Sequence, residues 1–320
     1  MTTEPDDLVP GRRVVVRYRL PADDPHQFTD VIGELVTLDP LTVRTPDGGV
    51  ITVPAERVVA ARTLSPRPIR TREIRALESA AADGWPGVER AWIDGWLVRA
   101  GNGYTRRANS ALPLGTVDGP VQLTPGALTR IAEWYAERGL PMQLALPDRL
   151  VPELPGYRTW CEVVVLGIDI DNFVLPQGPS MVRIDTVPNA AWLDLHRFKG
   201  EDTTPVAPVE PDRDVLTAVH QGEVGFATLG MPSVLAIGRG AVTVAPDGRH
   251  WVGLSSIAVA APHRRHGLGT LVCAELIRWG QRRGATHAYL QVEVENTGAL
   301  ALYREMGFIE HHRYRYAAPD

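Results

Sequence analysis

Short β-rich runs, followed by two stretches in which amphipathic helices alternate with apolar strands, mark this chain as α/β (α+β) with a small all-β unit at its start. Of its 320 residues, 44% are hydrophobic and 22% are charged. That composition excludes a mostly disordered chain, a collagen-like chain and a coiled-coil rod. Length alone allows two to three domains, at about 100–200 residues each.

Residues 1–66 read as five short strands: Arg12–Leu20, Val31–Leu38, Leu41–Thr45, Val50–Val53 and Val58–Ala61. In the first, Val14, Val16 and Tyr18 alternate with Arg13, Arg17 and Arg19. Turn signals such as Asp47-Gly48-Gly49 separate the runs, and five strands in so short a length predict an SH3-like β-barrel. The proline-rich stretch Thr63–Pro68 reads as a linker.

Residues 67–179 form the second segment. A helix beginning at Thr71 places Ile74, Leu77 and Ala81 on one face. Strand-like runs Ala91–Ala100 and Tyr104–Ala111 follow, joined by Gly101-Asn102-Gly103. Thr124-Pro125 gives a cap and then proline at the first helical position. Leu128, Ile131, Ala132 and Tyr135 continue that helix, and Gly139 and Pro141 end it. Met142–Leu146 and Trp160–Ile170 are further strands, and Asp171–Pro179 is a second linker.

Residues 180–320 form the third. Met181–Val187 reads as a strand, Asn189 caps a helix, Gly200–Pro211 is a loop and Asp212–Val219 is a short helix. Strands are expected at Val224–Leu229, Val234–Val244 and Trp251–Val259. The order then runs helix Leu268–Arg283, strand His287–Val294, helix Thr297–Met306 and strand His311–Tyr316.

The net charge of -5 and the absence of a basic arm argue against strong nucleic-acid binding. No apolar run is long enough for a transmembrane helix, and the acidic start lacks a signal-peptide core, so the cytoplasm is the expected location. Cys161 and Cys273 each lie in an apolar run and read as buried small hydrophobes; no metal site is expected.

Chemistry concentrates between Trp251 and Phe308. A β-rich strand ends in a turn containing Pro262, and Arg264-Arg265-His266-Gly267-Leu268-Gly269 opens a helix. Free amides at a helix N-terminus, close backbone approach at glycine and two arginines suit a pyrophosphate. Downstream, after one helix and one strand, stands Asn296-Thr297-Gly298-Ala299-Leu300-Ala301-Leu302-Tyr303-Arg304-Glu305-Met306-Gly307-Phe308. The two motifs in this order resemble the GNAT superfamily of acetyl-CoA-dependent N-acetyltransferases, over residues of roughly 181–318.

The resemblance implies a role for each matching position. Main chain from Ile257 through Ala258 to Val259 would bind the pantetheine arm, and Asn296 would contact it. Arg264, Arg265, His266, Gly267, Leu268, Gly269 and Thr270 would cradle the pyrophosphate. Tyr303 would be the general acid that protonates the departing thiolate. The acceptor implied is a primary amine, on a small molecule or on a protein lysine or N-terminus, attacked directly in a ternary complex.

One departure stands out. The strand before the loop carries no carboxylate between Trp251 and Pro262, where some members of the superfamily keep their base. Glu293 is the candidate base, with Glu295 or a water relayed by Ser255 or Ser256 as alternatives. That gap leaves room for a non-catalytic acyl-CoA sensor or a scaffold protein.

The segment 67–179 has the element order of a partial GNAT fold without either motif, and so should not bind CoA. Its polar run Gly103-Tyr104-Thr105-Arg106-Arg107-Ala108-Asn109-Ser110 resembles a strand of an actinobacterial GNAT subfamily. Arg106, Arg107 and Asn109 are expected to shape the acceptor site. The N-terminal barrel is expected to dock a protein partner or to stabilise the chain.

Overall fold

The computed structural model describes residues 8–21, 24–46, 48–64, 68–116, 119–121, 123–152, 154–176, 180–197, 212–230 and 232–320. Its packing separates two compact units, Met1–Pro68 and Ile69–Asp320.

The first unit contains β1 (Arg13–Arg19), β2 (Phe28–Leu38), β3 (Leu41–Arg44), β4 (Val50–Val53) and β5 (Val58–Thr63). These are the five expected strands, in one antiparallel sheet of order β4-β3-β2-β1-β5. Val14, Val16, Leu35, Val43 and Val53 are fully buried and build its core, as the alternation in β1 requires. Among the described residues β4 and β5 do not pair, so the expected barrel is an open sheet here.

The second unit opens with α1 (Thr71–Gly84), whose first turn is held by Arg70 N donating to Glu73 Oε2 at 2.8 Å. A hairpin of β6 (Glu89–Ile93) and β7 (Trp96–Ala100) turns at Asp94-Gly95. Then come α2 (Pro125–Ala136), β8 (Leu144–Pro147) and β9 (Tyr157–Asp169). Thr124 caps α2, its hydroxyl accepting from Ala127 N at 3.2 Å. The remaining elements are β10 (Val182–Asp185), α3 (Ala190–Arg197), α4 (Arg213–Thr217), β11 (Glu223–Leu229), β12 (Ala236–Val244), β13 (His250–Val259), α5 (Leu268–Gln281), β14 (His287–Glu293), α6 (Thr297–Glu305) and β15 (Ile309–Pro319). The loop expected at Gly200–Pro211 lies outside the described residues.

One eight-stranded mixed sheet organises this unit, in the order β10-β11-β12-β13-β14-β9-β15-β8. Strand β9, from the earlier part of the chain, lies between β14 and β15, antiparallel to both. The halves on either side of residue 180 therefore share one sheet. On one face α5 and α6 bury Val272, Leu276, Leu300 and Tyr303 against Leu254, Leu290 and Val292. On the other, α1 buries Leu77, Ala80 and Ala81 with Trp251 and Tyr289. No described helix is long and apolar enough to cross a membrane.

Two expected strands differ: the single run Ala91–Ala100 is the β6–β7 hairpin, broken by left-handed backbone at Asp94 and Gly95, and a second strand is replaced. The run Tyr104–Ala111 is a turn and a short 3-10 helix, Arg107–Asn109, rather than extended chain. Asn102, Gly103 and Thr105 take left-handed backbone (φ 53°, 73° and 60°), three such residues within four positions, which breaks the extended repeat of a strand. Asn109 is the reason the turn holds. Its Oδ1 accepts from Gly101 N at 2.8 Å and Gly103 N at 3.1 Å, and its Nδ2 donates to the carbonyls of Tyr104 at 3.0 Å and Thr105 at 2.7 Å. Each buried bond is worth about 1 kcal/mol net. Asn109→Ala should therefore cost about 2–3 kcal/mol in urea denaturation, well above the few tenths expected of a surface change.

Candidate active site

The centre of the sheet opens by design of its register. β13 and β14 pair in parallel only from Trp251↔His287 to Leu254↔Leu290. Beyond that, β13 stays bonded to β12 as far as Val259, and β14 to β9 as far as Glu293. Their facing edges diverge, leaving a wedge bordered by the main chain of residues 255–259 and 291–293. A bulge marks the branch point: Ser256 has φ 54°, and the β12 register shifts between Ile237 and Arg239. A bulge turns successive amides away from the ladder and toward whatever occupies the wedge.

The wedge leads to the turn after β13. A 3-10 turn at Ala261–His263 is followed by two left-handed residues, Arg265 (φ 65°) and Gly267 (φ 73°). This alternation curls consecutive amides into an anion-binding concavity. Leu271 N is the first α5 amide bonded back into the helix, to Gly267 O. The amides of Leu268, Gly269 and Thr270 are thus the free donors of a helix start, at the positive end of its dipole. Arg264, Arg265, His266 and Gly267 are exposed, and Arg264 Nε donates to Val259 O at 3.3 Å.

Asn296 and Tyr303 stand on α6. Asn296 Oδ1 accepts from Ala299 N at 3.1 Å and caps the helix. Tyr303 is 7% exposed, edge-on to Phe308, and its hydroxyl has no hydrogen-bond partner among the described residues. Burial pushes its ionisation far above that of a free phenol, so the group stays protonated.

The opposite face of the wedge gathers the polar turn. Arg106 makes an ion pair with Glu293, donates to Cys161 Sγ at 3.2 Å and lies 5.6 Å over the Tyr316 ring. Glu293 is about half exposed. Cys161, read from sequence as a buried hydrophobe, is instead half-buried at a bulge of β9 with φ 50°. Burial pushes its thiol up to about 11, so it is no nucleophile at neutral pH. Cys273 is fully buried, as expected. Arg107 lies 5.4 Å from the centre of the Trp85 ring, and its Nε is buried without a hydrogen-bond partner. Asn109 is wholly engaged by its own turn, so it acts on this face by holding the arginines in place.

Sequence reasoning missed the groups around Arg107. Arg239 is 1% exposed and donates to the carbonyls of Leu216, Ala218 and Gly84. Desolvation, helped by Arg107, lowers its pKa to about 9. Glu78 of α1 accepts from His312 Nε2 at 2.7 Å, and both side chains are almost fully buried. His312 Nδ1 lies 2.8 Å from His311 Nδ1. With His312 donating to Glu78, its Nδ1 accepts from His311, a tautomer fixed by the network. The sequence signal was a carboxylate beside Leu77 on an otherwise apolar helix face.

His311 carries a pH prediction. Burial and His312 depress its pKa to about 3, against ~6.5 unfolded. Below pH ~6.5 the unfolded chain takes up a proton that the folded chain refuses, so stability falls as pH drops. The slope reaches at most ~1.4 kcal/mol per pH unit. His311→Asn should flatten the decline in denaturation midpoint between pH ~6.5 and ~4.

No described group of His, Cys, Asp and Glu side chains is arranged to hold a metal.

Comparison with known proteins matches two family models. "Probable histone acetyltransferase Rv0428c C-terminal" covers residues 71–317, and "Rv0428c N-terminal Sm-like domain" covers residues 8–62. The protein named "Probable histone acetyltransferase Rv0428c" of Mycobacterium tuberculosis is 40% identical over 312 residues, 96% of this chain and 94% of that protein. "Uncharacterized N-acetyltransferase YobR" of Bacillus subtilis is 30% identical over 258 residues, 76% of this chain and 98% of that protein. Among solved structures, a GCN5-related N-acetyltransferase from Kribbella flavida shares the fold with TM-score 0.54 at 18% identity, covering 77% of this chain and 95% of that one.

Proposed function

Since the chain belongs to the Rv0428c family of GCN5-related (GNAT) N-acetyltransferases, and is an acyltransferase, we propose that it moves acetyl from acetyl-CoA to a primary amine by direct attack in a ternary complex. The observation that carries this reading is the wedge between β13 and β14, with a bulge at its apex and free amides at its mouth.

The residues fit the cosubstrate. Amides from Arg265 to Thr270 hold the pyrophosphate, with Arg264 and Arg265 adding charge. The edge from Ile257 to Val259 bonds the pantetheine amides, and Asn296 borders it. An amide at the Ser256 bulge meets the developing oxyanion, the largest single source of rate in such transfers. Tyr303, protonated at every working pH, gives its proton to the leaving thiolate. Arg106, Arg107 and Glu293 border the face from which the amine arrives, with Glu293 as one candidate for its base.

The acceptor favoured is a lysine of a basic protein. The Mycobacterium tuberculosis relative is named for histone acetylation, and this chain's net charge of -5 complements a cationic partner. The functional division is then a sheet-completing segment at 67–179 and a catalytic segment at 180–320, with 1–66 as a docking module. A panel of lysine-rich peptides, free amino acids and small amines, followed by CoA thiol release, tests the reading. Turnover greatest with basic peptides supports it. Saturable acetyl-CoA binding without thiol release from any amine would contradict it.

A further inference from the structure

Two water-sized cavities lie on the acceptor side of the wedge, and they share Arg107 and Gln291 in their walls. One reaches Ser255 and Gly253 on β13; the other reaches Glu78. Both shared residues carry a buried polar atom without a hydrogen-bond partner, Arg107 Nε and Gln291 Oε1. An orphaned donor and an orphaned acceptor on residues that line the same cavities suit bridging waters. Glu78 Oε1 is taken by His312, while no described donor reaches its other oxygen. Gly253 on β13 has no room for a side chain of its own: a Cβ there would lie 2.3 Å from Tyr289 Oη.

We propose that the proton leaving the acceptor ammonium passes through waters in these two cavities, past Gln291 and Arg107, to Glu78. This rests on the acetyl-transfer reading. The amine loses one proton to the first water, and the second water delivers one to Glu78, which later returns it to solvent. The freed nitrogen forms the C–N bond as the C–S bond breaks. The thiolate takes the Tyr303 proton, and the second nitrogen proton restores Tyr303 through solvent. Around Glu78 stand His312, Tyr314 and Tyr316 of β15, Arg99 of β7, Arg107 and Tyr289 of β14. His312 orients the carboxylate through its Nε2 hydrogen bond. Glu293, by contrast, is already paired with Arg106.

The test is kcat against pH for the full chain and for Glu78→Gln, Glu78→Asp, Gln291→Met and Glu293→Gln, with acetyl-CoA and the best amine. In Glu78→Gln, kcat at neutral pH should fall about 10²-fold and then rise tenfold per pH unit as hydroxide substitutes. KM for acetyl-CoA should not move, and Glu78→Asp should restore the wild-type profile shape. Gln291→Met, which leaves the Glu78–His312 pair intact, should give the same change in slope and decides the matter if Glu78→Gln does not fold. A wild-type profile in both variants, or the altered slope in Glu293→Gln alone, overturns the route. Absence of wild-type turnover overturns the transfer reading itself, and the route with it.

Discussion

Gly267→Glu should abolish measurable acetyl-CoA binding while the protein stays folded. Gly267 has φ 73°, and a Cβ there meets no atom within 4 Å. The substitution therefore meets only backbone strain of about 1–2 kcal/mol for a left-handed residue. What it adds is a carboxylate at the helix start that the pyrophosphate needs. A like charge at that position, in place of free amides, should weaken binding at least 100-fold, or about 2.7 kcal/mol. Gly267→Ala is the control for strain and should bind within about tenfold of the wild type. Calorimetric titration of both variants, with circular dichroism for the fold, checks the pair. Equal loss in both would assign the effect to backbone strain alone.

Tyr303→Phe should lower kcat about 10²-fold and leave KM for acetyl-CoA unchanged. The hydroxyl makes no hydrogen bond among the described residues and the ring packs edge-on to Phe308. Its removal should therefore shift stability by less than about 0.5 kcal/mol. Because burial raises its ionisation, Tyr303 should contribute no alkaline decline in rate below pH ~10, where a free phenol would titrate. A variant with wild-type kcat would leave Tyr303 as a core residue, which its packing with Cys273 and Phe308 also explains.

Local chemistry was legible in the sequence; long-range pairing was not. The strand, loop and helix from Trp251 to Gln281 follow from β-rich residues, Pro262 and Gly267, all within one another's reach along the chain. Asn296 announced α6 because a cap is a local device. The insertion of β9 between β14 and β15 depends on residues more than a hundred positions apart, for which periodicity carries no signal. The same holds for Arg106 meeting Glu293 and for Glu78 meeting His312. The error at Tyr104–Ala111 had a local cause. The run reads as a polar strand, but Asn109 bonds the preceding backbone so well that the chain turns instead. In the first unit the five strands were legible, and their open order was not.

The wedge between β13 and β14 is expected to receive acetyl-CoA with its thioester at the Ser256 bulge. A crystal structure with acetyl-CoA measures this directly. The prediction is a pyrophosphate on the amides from Arg265 to Thr270, pantetheine along Ile257–Val259, and the acetyl oxygen within hydrogen-bond reach of a main-chain amide at the bulge. Acetyl-CoA bound elsewhere, or with β13 and β14 zipped together past Leu254 and Leu290, would contradict it.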